Sequence, residues 1–199
     1  MTERRFNPEH MKKLDNPERR KVLPPEQLLK LLEIGDHDVI LDLGAGIGYF
    51  TLPVAKLTKG KVYALDVAPQ MLQYLGKRAK EEQLDNIELL EGQIEGIPLA
   101  GQTVDHAIAS FVLHEVEPLK KGLQEIRRVL KPGGTVLCIE WEKKQTEHGP
   151  PLHHRIDSNE LMDELLGQGF AIKKRTSPSD QHYLIIAKVN EENGKKRNM

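Results

Sequence analysis

Cysteine is almost missing from this chain. Its one cysteine, Cys138, excludes an internal disulfide and any cysteine-based zinc site. An excess of one charge sign is missing too: 29 Lys and Arg stand against 30 Asp and Glu, a net charge of −1. That balance leaves no electrostatic footprint for a nucleic acid or an anionic membrane surface, so no nucleic-acid partner is expected. No apolar run reaches the roughly 18 residues of a membrane-spanning helix. The opening stretch MTERRFNPEHMKKLDNPERR has no apolar core of a secretion signal. The expectation is a soluble, cytoplasmic protein without stable membrane insertion. Internal repeats and low-complexity tracts are absent as well. What remains is a chain of 199 residues, 38% hydrophobic, long enough for one domain with a sizeable core.

Strand-like and helix-like segments alternate along most of that length. Residues 1–23 are polar, with Pro8 and Pro17, and read as a surface arm or lid; Phe6, Met11, Leu14, Val22 and Leu23 give it apolar residues that need a partner surface. PPEQLLKLLEI reads as a helix begun at Pro25 and ended by Gly35. DVILDL is a buried strand, YFTLPVAKL a helix, KVYALD a strand and PQMLQYLGKRAKEEQ a helix with Met71, Leu72 and Leu75 inward. NIELLEG and VDHAIASFVL follow as strands, then a helix over LKKGLQEIRRVL, a turn at KPGG and the strand TVLCIEW. A helix capped by Ser158 leads to the strands FAIKKRT and HYLIIAKV. No helix separates these last two, so they are expected to pair antiparallel. Residues 24–189 thus form one domain, and residues 190–199 a polar tail expected to be disordered. The pattern predicts an α/β fold: a Rossmann-like, seven-stranded, mostly parallel sheet with helices on both faces and the last strand antiparallel. Ligands of such sheets sit beyond the carboxyl ends of the strands, where strand order reverses.

The stretch VILDLGAGIGYFTLPVA leaves the first strand at that edge. Gly44, Gly46 and Gly48 make G-x-G-x-G, and Tyr49 occupies the place of the third glycine in the dinucleotide fingerprint, so the match to that fingerprint fails. Glycines alone also serve tight strand-to-helix turns. Two acids narrow the choice. Asp42 precedes the glycines inside an apolar strand end, where a carboxylate repels phosphate and attracts a cation. Asp66 ends the second strand, 20 residues after Gly46, the spacing at which an acid binds ribose hydroxyls. A ligand with a ribose, a cationic part and no pyrophosphate fits, and S-adenosylmethionine (SAM) has these features.

VILDLGAGIGYFTLPVA, VYALDVAPQML, NIELLEGQIEGIPL, VDHAIASFVLHEV and IRRVLKPGGTVLCIEW, in that order and spacing, resemble the successive motifs of class I SAM-dependent methyltransferases, in the flavour of the ubiquinone and menaquinone C-methyltransferases. The resemblance covers roughly residues 24–188. It implies SAM as cofactor, with S-adenosylhomocysteine as its product, and transfer of a methyl group to a small-molecule acceptor by in-line displacement. It implies that Asp42, Gly44, Gly46 and Gly48 line the methionine end of SAM. Asp66 would take the ribose, and Val67 and Met71 would pack on the adenine. Gln93 stands where the family often has an acid toward the adenine amino group; its side-chain carbonyl can still accept. Ile94 would be its apolar neighbour, and Ser110 and Phe111 would face the methionine end or the acceptor.

Methyl transfer from a sulfonium needs alignment and exclusion of water, and a base only where the acceptor carries a proton to lose. His114, after the fourth strand, is the candidate for that base, or a positional residue. The loop TEHGPPLHHRIDSNE places His148, His153, His154 and Arg155 after the fifth strand, on the acceptor side. Adjacent histidines in a loop lack ligand spacing and a carboxylate set, so no metal is expected. Two other readings stay open here: a nicotinamide-dependent oxidoreductase and a catalytically silent SAM-binding regulatory protein. Tyr49 in the third-glycine position and the acid at Asp42 speak against the first. With one cysteine, a multi-cysteine mechanism is disfavoured, while carbon, oxygen, nitrogen and sulfur acceptors are all open.

Overall fold

A computed structural model describes residues 15–190. Phe6, Met11, Leu14 and most of the expected tail lie outside that range. Among the described residues, seven strands form one sheet in the order β3-β2-β1-β4-β5-β7-β6: β1 (Ile40–Leu43), β2 (Val62–Asp66), β3 (Ile87–Glu91), β4 (Val104–Ser110), β5 (Leu130–Trp141), β6 (Phe170–Ser179) and β7 (His182–Val189). The pairs β1–β2, β2–β3, β1–β4 and β4–β5 are parallel; β7 runs antiparallel to both β5 and β6. The final hairpin forms as its short connection demands. Its second strand inserts between β5 and β6, so β6 becomes the sheet edge.

Period-two burial splits the sheet into two faces. Leu41, Leu43, Ala107, Ala109, Val136, Cys138, Ile185 and Ala187 pack toward α5 (Leu119–Val129) and α6 (Ser158–Gly167) through Leu123, Ile126, Val129, Leu161 and Leu165. Ile40, Val62, Ile108, Leu137, Leu184 and Ile186 pack against α2 (Pro25–Leu29) and α3 (Thr51–Ala55) through Leu28, Leu29, Val54 and Ala55. Ala64 meets Leu75 and Ala79 of α4 (Pro69–Glu81). All four residues of β1 are buried, since both its faces and both its neighbours are covered. Strand order reverses on either side of β1: the chain moves outward to β2 and β3, then returns to β4. The crevice of such a switch point opens beyond the ends of β1 and β4.

Four local readings are corrected. KPGG is not a turn between helix and strand. β5 begins at Leu130, and its pairing with β4 jumps from Val104–Leu130 to His106–Thr135, so Lys131–Gly134 form a bulge within one strand. Gly133 has φ 76° there, which glycine tolerates. The helix after Pro25 tightens into a 3₁₀ turn at Lys30–Leu32 and stops at Glu33, φ 54°; Gly35 instead donates its N–H to Asp38. The cap of α6 is Asp157, whose carboxylate accepts the N–H of Asn159 at 2.8 Å, with Ser158 already helical. β4 ends at Ser110, because Phe111 turns to φ 56° and a 3₁₀ turn takes Leu113–Glu115.

Candidate active site

The glycine turn is built for close approach. Gly44 has φ 64°, and a Cβ there would lie 2.5 Å from Val112 Cγ2. Gly46 has φ 52°. Its N–H donates to Asp66 Oδ2 at 2.8 Å, while Asp66 Oδ1 accepts the N–H of Ala68 at 2.9 Å. The acid expected at a ribose therefore also ties the glycine turn to the end of β2. Burial raises its carboxyl above the usual range, against the pull of those backbone N–H groups. Asp42 is buried and accepts Thr51 Oγ1–H at 2.6 Å. Burial pushes its carboxyl up to about 7 despite that bond, and nearby Asp66 adds to the rise.

A cavity of about 840 Å³ opens at this edge of the sheet. Asp42, Gly44, Gly46, Asp66, Val67, Met71, Ile94, Ser110, Phe111, His114 and His154 all line it. Segments far apart in sequence, from the glycine turn to the loop after β5, thus meet around one space. Ser110 Oγ is buried there and has no hydrogen-bond partner among the described residues. A buried hydroxyl left so is costly unless a ligand completes it.

Four candidates fall elsewhere. Gly48 does not line the cavity; a Cβ on it would meet Leu75 Cδ1 at 2.4 Å, so it serves the packing of α4 under the turn. Gln93 is exposed and outside the cavity, with Gly92, Ile94 and Glu95 in the wall instead. Its place just before the 3₁₀ turn at Ile94–Gly96 directs it to solvent. His153 is exposed, stacked edge-on against the His154 ring. Arg155 is buried and fully spent on its own loop. Its Nε donates to the Pro150 carbonyl at 2.9 Å. Nη1 donates to the carbonyls of Glu142 and Lys144, and Nη2 to Thr146 Oγ1 and the His148 carbonyl. With five donors and five acceptors, this guanidinium shapes the 142–150 loop and has no donor left for an acceptor. Among the described residues no three His, Cys, Asp or Glu side chains gather as a metal site.

His114 sits in the 3₁₀ turn after β4 with its Nδ1 2.7 Å from Glu140 Oε2. The Glu140 charge and hydrogen bond hold its imidazole above its ordinary value, although burial opposes them. Residues not singled out from the sequence complete the wall. Arg19, in the short helix α1 (Pro17–Val22), lies over the Tyr49 ring at 4.0 Å and the Phe111 ring at 5.2 Å. The Trp141 and His182 rings meet at a 56° tilt with centroids 4.4 Å apart, and the Phe111 ring lies 5.2 Å from His182. Burial, helped by Arg19, pushes His182 down to about 4, so its ring is neutral at ordinary pH. One signal was available: an antiparallel last strand must begin at the edge where parallel strands end. His182 is paired with Trp141 for that reason.

The carboxylates, the glycine turn and the uncompleted hydroxyl suit a ligand that is hydroxylated and carries positive charge. Comparison with known proteins agrees. A model of the methyltransferase domain family matches residues 41–138. A solved SAM-dependent methyltransferase from Aquifex aeolicus is 31% identical, covering 93% of this chain and 100% of that one, with a TM-score of 0.87. The chain belongs to the SAM-dependent methyltransferases. Within that family it is similar to the demethylmenaquinone methyltransferase of Geobacillus sp. (strain WCH70), 34% identical over 117 residues, 58% of this chain and 50% of that protein. The chain spans about half the length of the curated relatives it matches. A [4+2]-cyclase, SpnF, shares the fold at a TM-score of 0.77 and 18% identity, over 85% of this chain and 80% of that one. Fold alone therefore does not name a reaction, and the site has to.

Proposed function

We propose that this chain transfers a methyl group from SAM to a small-molecule acceptor. One observation carries the proposal: Asp42 and Asp66 flank an N–H-bearing glycine turn at the ends of two neighbouring parallel strands, inside one cavity. Asp66 is suited to accept from ribose hydroxyls, and Asp42 to offset a cationic group. Gly44 and Gly46 let the backbone approach the methionine portion; Val67, Met71 and Ile94 offer apolar contact to a base. Ser110 Oγ would gain the partner it lacks. When bound, SAM supplies a methyl group made electrophilic by the adjacent sulfonium.

The protein's own contribution is alignment, dryness and proton handling. Trp141, Phe111, His182, His154 and the Gly149–Pro151 stretch form the acceptor side of the wall. Pro150 and Pro151 stiffen that side, and Arg155 braces it from behind. Asn16, Glu18, Arg19, Val22 and Leu23 of the N-terminal arm form part of the cavity wall, and we read this arm as a lid. Asp15 clamps it, paired with Arg20 at 2.6 Å and Arg78 at 3.2 Å, while Arg78 also donates to the Ile47 carbonyl in the glycine turn. His114 is the candidate proton acceptor.

A nicotinamide cofactor is disfavoured because a buried acid, Asp42, stands where a pyrophosphate would approach. The test is calorimetry with SAM, S-adenosylhomocysteine and NAD, followed by transfer of labelled methyl from SAM. Reduced demethylmenaquinone, after the relatives' names, is the first acceptor, and a metabolite extract the second. Binding of NAD but not SAM, or no label transfer to either acceptor source, would refute the reading.

A further inference from the structure

β5 carries a carboxylate where its neighbours are apolar: Glu140 is 1% exposed, beside Ile139 and Cys138. Oε1 accepts the backbone N–H of Leu113 at 2.8 Å and of His114 at 3.3 Å. Oε2 takes the His114 ring at Nδ1, 2.7 Å away. One side chain thus fixes both the backbone of the 3₁₀ turn and the ring it bears. A carboxylate only accepts, so the proton between them is assigned to Nδ1. The neutral ring then keeps its lone pair on Nε2. Among the described residues no group hydrogen-bonds Nε2, and His114 lines the cavity.

We infer that Glu140 is a positioning residue for methyl transfer: it holds His114 in the tautomer whose Nε2 lone pair is open to the cavity. The arrangement selects an acceptor that must give up a proton from oxygen, nitrogen, sulfur or an acidic carbon. The inference rests on the methyl-transfer reading above. In the step it serves, the acceptor's proton passes to Nε2 and the electron pair left behind forms the new bond to the methyl carbon. The pair of the old carbon–sulfur bond stays with sulfur. Glu140 then faces an imidazolium, a pairing that a buried carboxylate favours over a neutral neighbour. The charged groups around the ring are Glu140 on β5, Glu115 in the same turn and Arg155 behind the loop. The two acids outweigh the Arg and the burial, so the basic form of His114 appears above its ordinary titration range.

The bland rival is that Glu140 merely caps the 3₁₀ turn. Glu140→Gln separates the two. Its amide oxygen can still accept from Leu113 and His114, so the cap survives. Its NH₂ then faces Nδ1 and demands an acceptor there, which moves the ring proton to Nε2. The experiment records ring ¹⁵N spectra of His114 with S-adenosylhomocysteine bound, SAM affinity, and label transfer from SAM into a metabolite extract against pH. At pH high enough for the ring to be neutral, the wild type should carry its single proton on Nδ1 and E140Q on Nε2. SAM affinity should stay within about threefold, while label transfer falls at least about a hundredfold and loses its rising limb with pH. A neutral wild-type ring with its proton on Nε2 overturns the inference, and that spectrum needs no variant to fold. Transfer by E140Q within about threefold of wild type also overturns it. Absence of transfer by the wild type would instead sink the methyl-transfer reading and this inference with it.

Discussion

Lowering the pH below neutrality should weaken SAM binding through Asp42. The buried carboxyl is pushed up to about 7, so near neutral pH about half of the free protein carries a proton there. A cationic ligand group needs the carboxylate. Binding should therefore release about half a proton near pH 7, and affinity should drop about elevenfold one pH unit below the titration point and about a hundredfold two units below. The ligand's own ammonium stays charged over that range, and Arg19 does not titrate. The fold feels the same group with the opposite sense. A carboxyl raised above its unfolded value of 3.8 contributes stability that is present below about pH 4 and lost as pH rises through about 7. The loss is on the order of 4 kcal/mol at most. Asp42→Asn can keep the Thr51 hydrogen bond while removing the charge. It should stabilise the free protein at about pH 8, weaken SAM binding, and abolish the pH slope of affinity. Calorimetry in buffers of different ionisation enthalpy reads the protons directly, and thermal melts read the stability. Affinity that is flat from about pH 6 to 8, or proton uptake on binding, would refute the reasoning.

Substituting the glycines should split by location: Gly44→Ala should cost SAM affinity through strain at φ 64° and contact with Val112, whereas Gly48→Ala should cost mainly thermal stability by disturbing Leu75, both read by calorimetry and melting. Arg155→Lys should lower stability by about 2–4 kcal/mol, because one ammonium cannot replace five placed donors, and SAM affinity should change by less than about threefold; denaturant titration checks the first and calorimetry the second. Hydrogen exchange of residues 16–23 should slow when SAM binds, and Asp15→Ala should speed it in the free protein; equal rates in all three states would mean a static arm.

Much of the candidate site around the glycine turn was legible because its constraints are local. Asp42, Gly44 and Gly46 sit within five positions of one strand end, and Asp66 ends the next strand, so a short window of sequence places them together. Gly48 shares their pattern but not their place, since spacing does not tell a glycine that lines the cavity from one that packs on Leu75. Helix and strand types were readable from periodicity; the KPGG bulge was not, because the same residues make turns when no partner strand sits beside them. Arg155 was misplaced for a related reason. A guanidinium in a polar loop looks available until the loop's carbonyls are seen to converge on it. Glu140 meets His114, and His182 meets Phe111, across long stretches of sequence, which periodicity cannot report.

The insertion of β7 bears on how the protein is made. A nascent chain that has emerged only as far as Asp180 holds β5 as an open edge, with a row of unpaired backbone groups where β7 will lie. Such an edge invites pairing with another chain, so the interval before the last strand emerges is the hazardous one during synthesis. The same strand brings His182 to Trp141, so that part of the cavity wall comes into being in the moment that closes the edge. A truncated or stalled chain therefore lacks that wall and exposes an open strand edge at once.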